Sequence, residues 1–261
     1  MNPLSILGIG LLLGVRHATD PDHVVAISTI VAQQKRLRSA SFIGALWGIG
    51  HTITVFIVGV GIIIFHIIIP PRIGLFMEFI VALALITLGV LNLTGILQKI
   101  IRRLTPGHVH EHIHLHLFSR EPHLHVHEHE EHTPTEAGKF SFRRLLTEFG
   151  WFQLTRPIVI GLIHGLAGSA AITLLVLTTI TNPLVALIYL LIFGLGTILG
   201  MMFITTLLGL PIIFTAHRFS HIHRHITSLS GIVSIAFGLY LAWEIGINSQ
   251  LFGANPQWDP H

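Results

Sequence analysis

The chain has 261 residues, of which 51% are hydrophobic and only 10% are charged. Soluble domains carry about a quarter charged residues, so this composition excludes a soluble enzyme, a secreted module and a disordered tail. The absence of cysteine excludes disulfides, thiolate metal sites, iron–sulfur clusters and thiol redox chemistry. The net charge of +3 comes from basic residues that mostly flank apolar segments, so we attribute it to membrane topology and not to nucleic-acid binding.

Six apolar stretches predict membrane-spanning helices, because each supplies about the 20 residues that cross a bilayer. They cover residues 4–32, 42–69, 74–98, 156–180, 184–214 and 228–247. The first stretch has a polar, proline-containing centre over residues 16–23, and proline interrupts the hydrogen bonds of a helix, so we expect a broken helix there. The first 15 residues have no basic leader, which predicts a retained helix and not a signal peptide.

The placement of lysine and arginine predicts the orientation. Thirteen of the 15 fall in the connections between spans 1 and 2, 3 and 4, and 5 and 6, whereas the connection between spans 2 and 3 carries Arg72 alone. Positive residues favour the cytoplasmic side. We therefore expect a multi-pass protein of the cytoplasmic membrane with both termini outside, a cytoplasmic loop over 99–155 and an external tail over 249–261.

The two halves of the chain also repeat. Three short segments match in order at offsets of 147, 146 and 149 residues: Gly14-Val15-Arg16-His17 with Gly161-Leu162-Ile163-His164, Trp47-Gly48-Ile49-Gly50 with Phe193-Gly194-Leu195-Gly196, and Gly89-Val90-Leu91-Asn92 with Gly238-Leu239-Tyr240-Leu241. An odd number of spans in each half inverts the second copy. The predicted fold is an all-α membrane protein of six helices in two inverted three-helix repeats, 1–98 and 156–248, a design common in secondary transporters.

The polar centre of span one supplies the candidate substrate ligands. Charged groups inside a membrane normally face protein or a water-filled cavity. His17, Asp20 and His23 share an arc of about 120° on an ideal helix, and a break at Pro21 would turn Asp22 toward them. Imidazole with carboxylate suits borderline divalent cations. Two alternatives are an interfacial turn, with Asp20 capping a helix and the histidines solvated, and a proton relay.

Two more histidines lie inside apolar spans. His51 stands among glycines in span two, and His164 in span four is the repeat equivalent of His17. We expect both to be metal ligands on the transport path, with helix packing as the alternative interpretation, which weighs more for His164 because its neighbours are small residues.

Residues 16–23 carry a histidine, four residues, then aspartate-histidine, and this octamer resembles the signature of the nickel/cobalt transporter family and its urease-accessory-type relatives. Residues 49–52 resemble the glycine-histidine motif of that family's next span. The resemblance covers about residues 8–60 and implies transport of nickel or cobalt across the cytoplasmic membrane. It implies metal-handling roles for His17, Asp22, His23 and His51. Family importers usually have eight spans and an acidic, threonine-rich motif; residues 161–171 stand in its place and resemble the urease-accessory-type branch.

The loop between spans three and four contains ten histidines within 25 residues, a composition typical of a flexible metal-binding tract. A solvated linker is the alternative. Nickel, cobalt, zinc and copper(II) all suit imidazole, so the loop itself is not selective. The predicted loop ligands are His108, His110, His112, His114, His116, His123, His125, His127, His129 and His132.

These features predict a permease, not an enzyme, that carries divalent nickel or cobalt as substrate and holds no prosthetic group. Uptake is favoured over efflux; an intramembrane metalloenzyme and an accessory protein that only presents metal through its loop are further alternatives. The sequence has no phosphate-binding P-loop motif, so an ion gradient, the membrane potential or a partner must supply energy. The expected partners are the metal ion, the lipid bilayer, a cytosolic metallochaperone and further copies of the chain, but no nucleic acid.

Overall fold

The computed structural model describes residues 3–32, 34, 37–65, 69–96, 112–113, 124–125, 154–166, 179–180, 182–218 and 220–258. These residues are helical apart from turns and one short strand pair, in which β1 (His112–Ile113) runs antiparallel to β2 (Leu124–His125). The helices are α1 (Pro3–His17), α2 (Pro21–Val31), α3 (Leu37–Phe65), α4 (Pro71–Leu93), α5 (Leu154–His164), α6 (Pro183–Arg218) and α7 (Ser220–Trp243), which continues as a π-helical turn over Glu244–Asn248.

Four of the described helices contain segments long and apolar enough to cross a membrane: Leu37–Phe65, Pro71–Leu93, Pro183–Thr215 and His225–Asn248. They correspond to predicted spans 2, 3, 5 and 6, with ends within about five residues of the predicted ones. Large apolar side chains such as Ile57, Phe203 and Leu239 stand exposed along them, as expected for surfaces that face lipid. This part of the structure is typical of an all-helical membrane protein. Predicted spans 1 and 4 are represented by the shorter helices α1, α2 and α5.

The first predicted span is broken between α1 and α2, as its proline indicates. Pro21 occupies the first position of α2, where its missing N–H is not needed. The N–H groups of Thr19 and Asp20 donate to Arg16 O and His17 O at 2.8 and 3.1 Å, and these bonds close the end of α1. The C-terminal end of α1 and the N-terminal end of α2 therefore meet inside the bundle.

Close helix packing surrounds this break. Helix α6 lies against α1 and α3, α4 lies against α7, and α2 contacts α4, α6 and α7. Glycines allow the backbones to approach: a Cβ atom at Gly48 would lie 2.8 Å from Ile198 Cα. The largest core cluster joins Ile27 and Ile30 of α2 to Trp47 of α3 and to residues of α4 and α6. The break between α1 and α2 thus stands at the centre of the packed helices.

Polar contacts join α4 to its neighbours. Asn92 Nδ2 donates to Thr227 O at 2.9 Å and to Ser230 Oγ at 3.2 Å, and these bonds tie α4 to α7. At the other end of α4, Trp258 Nε1 of the C-terminal segment donates to Glu78 Oε1 at 2.8 Å. The predicted external tail is therefore packed onto the start of α4 as far as Trp258.

Candidate metal centre

Three buried histidines meet from three helices. His17 is the last residue of α1, His23 lies in the first turn of α2, and His51 lies near the middle of α3. The ring centroids are 4.7 Å apart for His17 and His23, 4.6 Å for His17 and His51, and 5.2 Å for His23 and His51. One ring nitrogen from each lies within 4.8 Å of the other two. Bonds of about 2.0–2.1 Å to a central ion would require the nitrogens that are farthest apart to move closer together.

Both ring nitrogens of His17 are already engaged. Nδ1 lies 2.8 Å from Asp20 Oδ2, and Nε2 lies 2.8 Å from Nε2 of His51. A carboxylate only accepts hydrogen bonds, so the neutral His17 ring donates from Nδ1 and accepts at Nε2, and His51 Nε2 donates to it. This is the arrangement in which a carboxylate fixes the orientation of a metal-binding imidazole. A metal ion bound at His17 Nε2 would have to displace the proton shared with His51.

Other buried nitrogens in the cluster have no hydrogen-bond partner among the described residues. They are both ring nitrogens of His23, Nδ1 of His51, Nε2 of His164 and Nε1 of Trp47. An unsatisfied buried polar group costs about 1–3 kcal/mol, so such groups are seldom gathered in one place without a purpose. Within the described part of the chain, this concentration of unpaired nitrogens marks a place where a bound ligand would complete the structure.

His164 stands beside the three-histidine cluster, at the end of α5. Its Nδ1 donates to Ile160 O at 3.0 Å, which leaves Nε2 with a free lone pair in the neutral ring. The His164 ring lies 5.9 Å from His23 and 5.2 Å from Trp47, centroid to centroid. Of the candidate histidines in the membrane spans, it is the one supplied by the second half of the chain.

Two aromatic rings that the sequence analysis did not assign to the site form its walls. The Trp47 ring lies 5.7 Å from His23, and the Phe193 ring lies 5.6 Å from His17. Both are buried, and they exclude water from the imidazoles. The sequence carried a signal for both residues, because Trp47 and Phe193 begin two short segments that match at an offset of 146 residues.

The two aspartates complete a second group. Asp20 and Asp22 are partly buried, and one oxygen from each lies within 4.8 Å of a nitrogen of His23. Asp20 occupies the N-cap position of α2, yet its side chain makes no cap hydrogen bond and instead contacts His17. Two parts of the interfacial-turn alternative are therefore wrong, since Asp20 does not cap the helix and His17 and His23 are buried, not solvated.

The structure thus brings together the six residues predicted for the transport path, although their binding of metal stays a prediction. Among the loop histidines, His112 and His125 are register partners in the β1–β2 pair. The other eight, His108, His110, His114, His116, His123, His127, His129 and His132, lie outside the described residues. Metal binding by the loop also stays a prediction.

Comparison with known proteins gives a relative that extends over nearly the whole chain. The urease accessory protein UreH of Bacillus sp. (strain TB-90) is 36% identical over 249 residues, which cover 95% of this chain and 95% of that protein. The chain belongs to the UreH family. No family model matches the chain, and no solved structure matches it. Its place in the UreH family agrees with the urease-accessory-type resemblance of residues 16–23 and 161–171.

Proposed function

We propose that this UreH-family chain is a secondary transporter that moves divalent nickel or cobalt ions across the cytoplasmic membrane, in the direction of uptake. The observation that carries the proposal is the buried cluster of His17, His23 and His51, set where α1 breaks from α2 within a bundle of apolar helices. Buried imidazoles with nearby carboxylates suit a borderline divalent cation. The nickel/cobalt signature of residues 16–23 and the UreH relationship both favour nickel among such ions.

The position of the cluster at a helix break fits the way transporters bind cations. Helix α1 ends at His17 and α2 begins two residues before His23, so the cluster lies between two helix ends, where backbone groups lack partners within their helices. Transporters commonly bind ions and substrates at such interrupted helices near the middle of the membrane. A protein that only presents metal from a loop does not need a buried histidine cluster at a helix break, so the site favours a transporter over an accessory protein.

We further propose that the chain consists of two inverted three-helix repeats, and reciprocal glycine contacts support this. Matched positions are those that the repeat offset of 146–149 residues brings into correspondence. If a glycine of the first half contacts a residue of the second half, then the glycine at the matched position of the second half contacts the matched residue of the first half. A two-fold axis produces this reciprocity. The reciprocal pairs are Gly14–Phe193 with Gly161–Trp47, Gly50–Ile158 with Gly196–Leu11, Gly48–Ile198 with Gly194–Thr52, and Gly89–Gly231 with Gly238–Ala82.

The ends of α1 and α5 support the same relationship. Helix α1 ends at His17 and α5 ends at His164, which are matched positions of the repeat. Their closing hydrogen bonds match as well: Ala18 N–H donates to Gly14 O at 3.3 Å, and Gly165 N–H donates to Gly161 O at 2.8 Å. On this basis we propose six spans, with the first and the fourth both interrupted at a histidine. Rocking of one repeat against the other would then open the cluster to each side in turn.

The proposal is tested by accumulation of radiolabelled nickel and cobalt in cells that express the intact chain. We expect accumulation above that of control cells, its loss in His23→Ala, and its retention in His225→Ala, a change to an exposed histidine of α7. Accumulation below the control, restored by His23→Ala, would contradict uptake and show efflux through the same site. If the accumulation of neither metal differs from that of control cells, transport of these ions is refuted, and an intramembrane metalloenzyme becomes the better explanation.

Removal of residues 108–132 separates the transporter from an accessory protein. If the membrane site carries the function, nickel uptake survives the deletion, although less metal is bound per chain. If the loop carries the function, nickel uptake disappears when the loop is removed, whereas His23→Ala takes up as much nickel as the unaltered chain.

A further inference from the structure

Two possible ligand sets overlap at a single residue. The first is Asp20, Asp22 and His23, and the second is His17, His23 and His51; in each set the ligand atoms lie within 4.8 Å of one another. Given the proposed transport function, on which this inference rests, we propose that the ion occupies the two positions in turn. The carboxylates capture it at an outer position, and His23 passes it to an inner position formed by imidazoles alone.

The order of the two positions follows from burial. The side chain of Asp20 is 27% exposed and that of Asp22 is 13% exposed, whereas His23 and His51 are completely buried. An arriving cation therefore meets carboxylates first, and negative charge at the mouth of a cleft raises the local cation concentration. Among the described ligand residues, the exposed fraction thus falls from the two carboxylates to His23 and His51, and we place the outer position at the carboxylates.

The chemistry of the two sets suits the two stages of entry. Carboxylate oxygens suit hard, hydrated cations, whereas imidazole nitrogens select nickel, cobalt and similar ions over magnesium and calcium. The outer set is thus a capture position of low selectivity, and the inner set is a selective position in which imidazoles replace bound water. The aromatic rings of Trp47 and Phe193 border the inner rings and leave them poorly hydrated.

His23 has the properties that a transferring ligand requires. Nδ1 lies 3.4 Å from Asp22 Oδ1, so this edge of the ring faces the carboxylates. Neither of its nitrogens makes a hydrogen bond of normal length to another described residue, so both nitrogens can face an ion. The ring is also within 4.7 Å of His17 and 5.2 Å of His51, centroid to centroid. Because both sets need His23, only one ion is held at a time.

The test compares a variant of the outer set alone with a variant of the inner set alone. The full chain is reconstituted in lipid vesicles, and nickel binding and uptake are measured. X-ray absorption at the nickel edge counts the imidazole ligands from the scattering of their outer ring atoms. Because the histidine-rich loop would bind further ions, the membrane site is defined as the nickel that the full chain binds and His23→Ala does not. We expect this nickel to be one ion per chain with mainly imidazole ligands. Asp22→Asn keeps this imidazole-rich spectrum but raises the KM for uptake at least about tenfold, the effect that loss of a supporting ligand has on metal affinity. His51→Gln binds nickel with fewer imidazole ligands and loses uptake.

A single mixed site gives different results. If Asp22→Asn and His51→Gln lose binding to the same extent, or if their spectra are alike, the two-position relay is overturned while the transport function stands. Should His51→Gln fail to fold, His17→Gln provides the second inner variant and is expected to show the same imidazole-poor binding without uptake. An unaltered chain that neither binds nor carries nickel would instead refute the proposed function.

Discussion

The contact of α1 with α6 offers a quantitative test of the two-fold repeat. A Cβ atom at Gly14 would lie against Phe193 O and 2.8 Å from Thr197 N, and one at the matched Gly161 would lie against Trp47 O and 2.9 Å from His51 N. Side-chain Cβ atoms essentially never come this close to backbone atoms, so an alanine at either position must push the helices apart. Overpacking of this kind costs about 1–3 kcal/mol.

Part of that cost is offset, because alanine stabilises a helix over glycine by about 0.5–1 kcal/mol. We therefore expect Gly14→Ala and Gly161→Ala each to lower the free energy of unfolding by about 1–2 kcal/mol, using these two principles together. At about 2–4 °C per kcal/mol for a chain of this size, Tm falls by about 2–8 °C. Because Gly161 borders His51, nickel uptake should fall as well in Gly161→Ala.

The matched control is Gly8→Ala, since Gly8 lies in the same helix as Gly14 and its Cβ would meet no atom within 4 Å. This variant should keep or slightly raise Tm. The Tm of each of the three variants is measured by thermal unfolding of the purified protein in the same detergent. If Gly14→Ala were as stable as Gly8→Ala, the close approach of α1 to α6 would be wrong. If Gly14→Ala were destabilised and Gly161→Ala were not, the two halves would not be equivalent.

Three further predictions concern the site and the tail. Asp20→Asn removes the carboxylate that orients the last imidazole of α1, and radiolabelled nickel binding should weaken about 10- to 100-fold; unchanged affinity would contradict this role. Nickel at 100 times its Kd should stabilise the chain by about 2.7 kcal/mol, seen as a higher Tm, and this gain should vanish in His23→Ala. Trp258→Ala removes the hydrogen bond to Glu78 and the ring packed against α4, so we expect a lower Tm with nickel uptake retained; loss of uptake at unchanged Tm would contradict a purely structural role.

Local rules were sufficient to predict the break and part of the site. Pro21 cannot continue a helix, so the position of the break followed from the sequence alone. The contact of His17 with Asp20 joins residues three apart, across the turn that follows α1. The position of the Asp22 carboxylate could be predicted only together with the break, because an uninterrupted helix would have turned this carboxylate away from His17 and Asp20.

Longer-range contacts could not be predicted in the same way. The contact between His17 and His51 joins residues 34 apart and depends on how α1 and α3 pack against α6. Trp47 and Phe193 lie in helices that are apolar on every side, so no periodic pattern distinguishes the face toward the histidines from the face toward lipid. The packing of Trp258 against α4 likewise depends on a turn after α7 that carries no distinctive sequence pattern.

The candidate site is asymmetric although the glycine contacts around it are reciprocal between the two halves of the chain. His17 and its match His164 are both histidines at a helix end, but the position matched to His51 is Thr197, whose hydroxyl donates to Phe193 O within its own helix at 3.0 Å. Both ligand sets therefore come from the first half, and His164 is the candidate ligand from the described part of the second half. A rocking motion would then move the second half past an ion that stays with the first half. Such a motion would affect both walls, because the Trp47 ring of the first half lies against His164 of the second, and the Phe193 ring of the second half lies against His17 of the first.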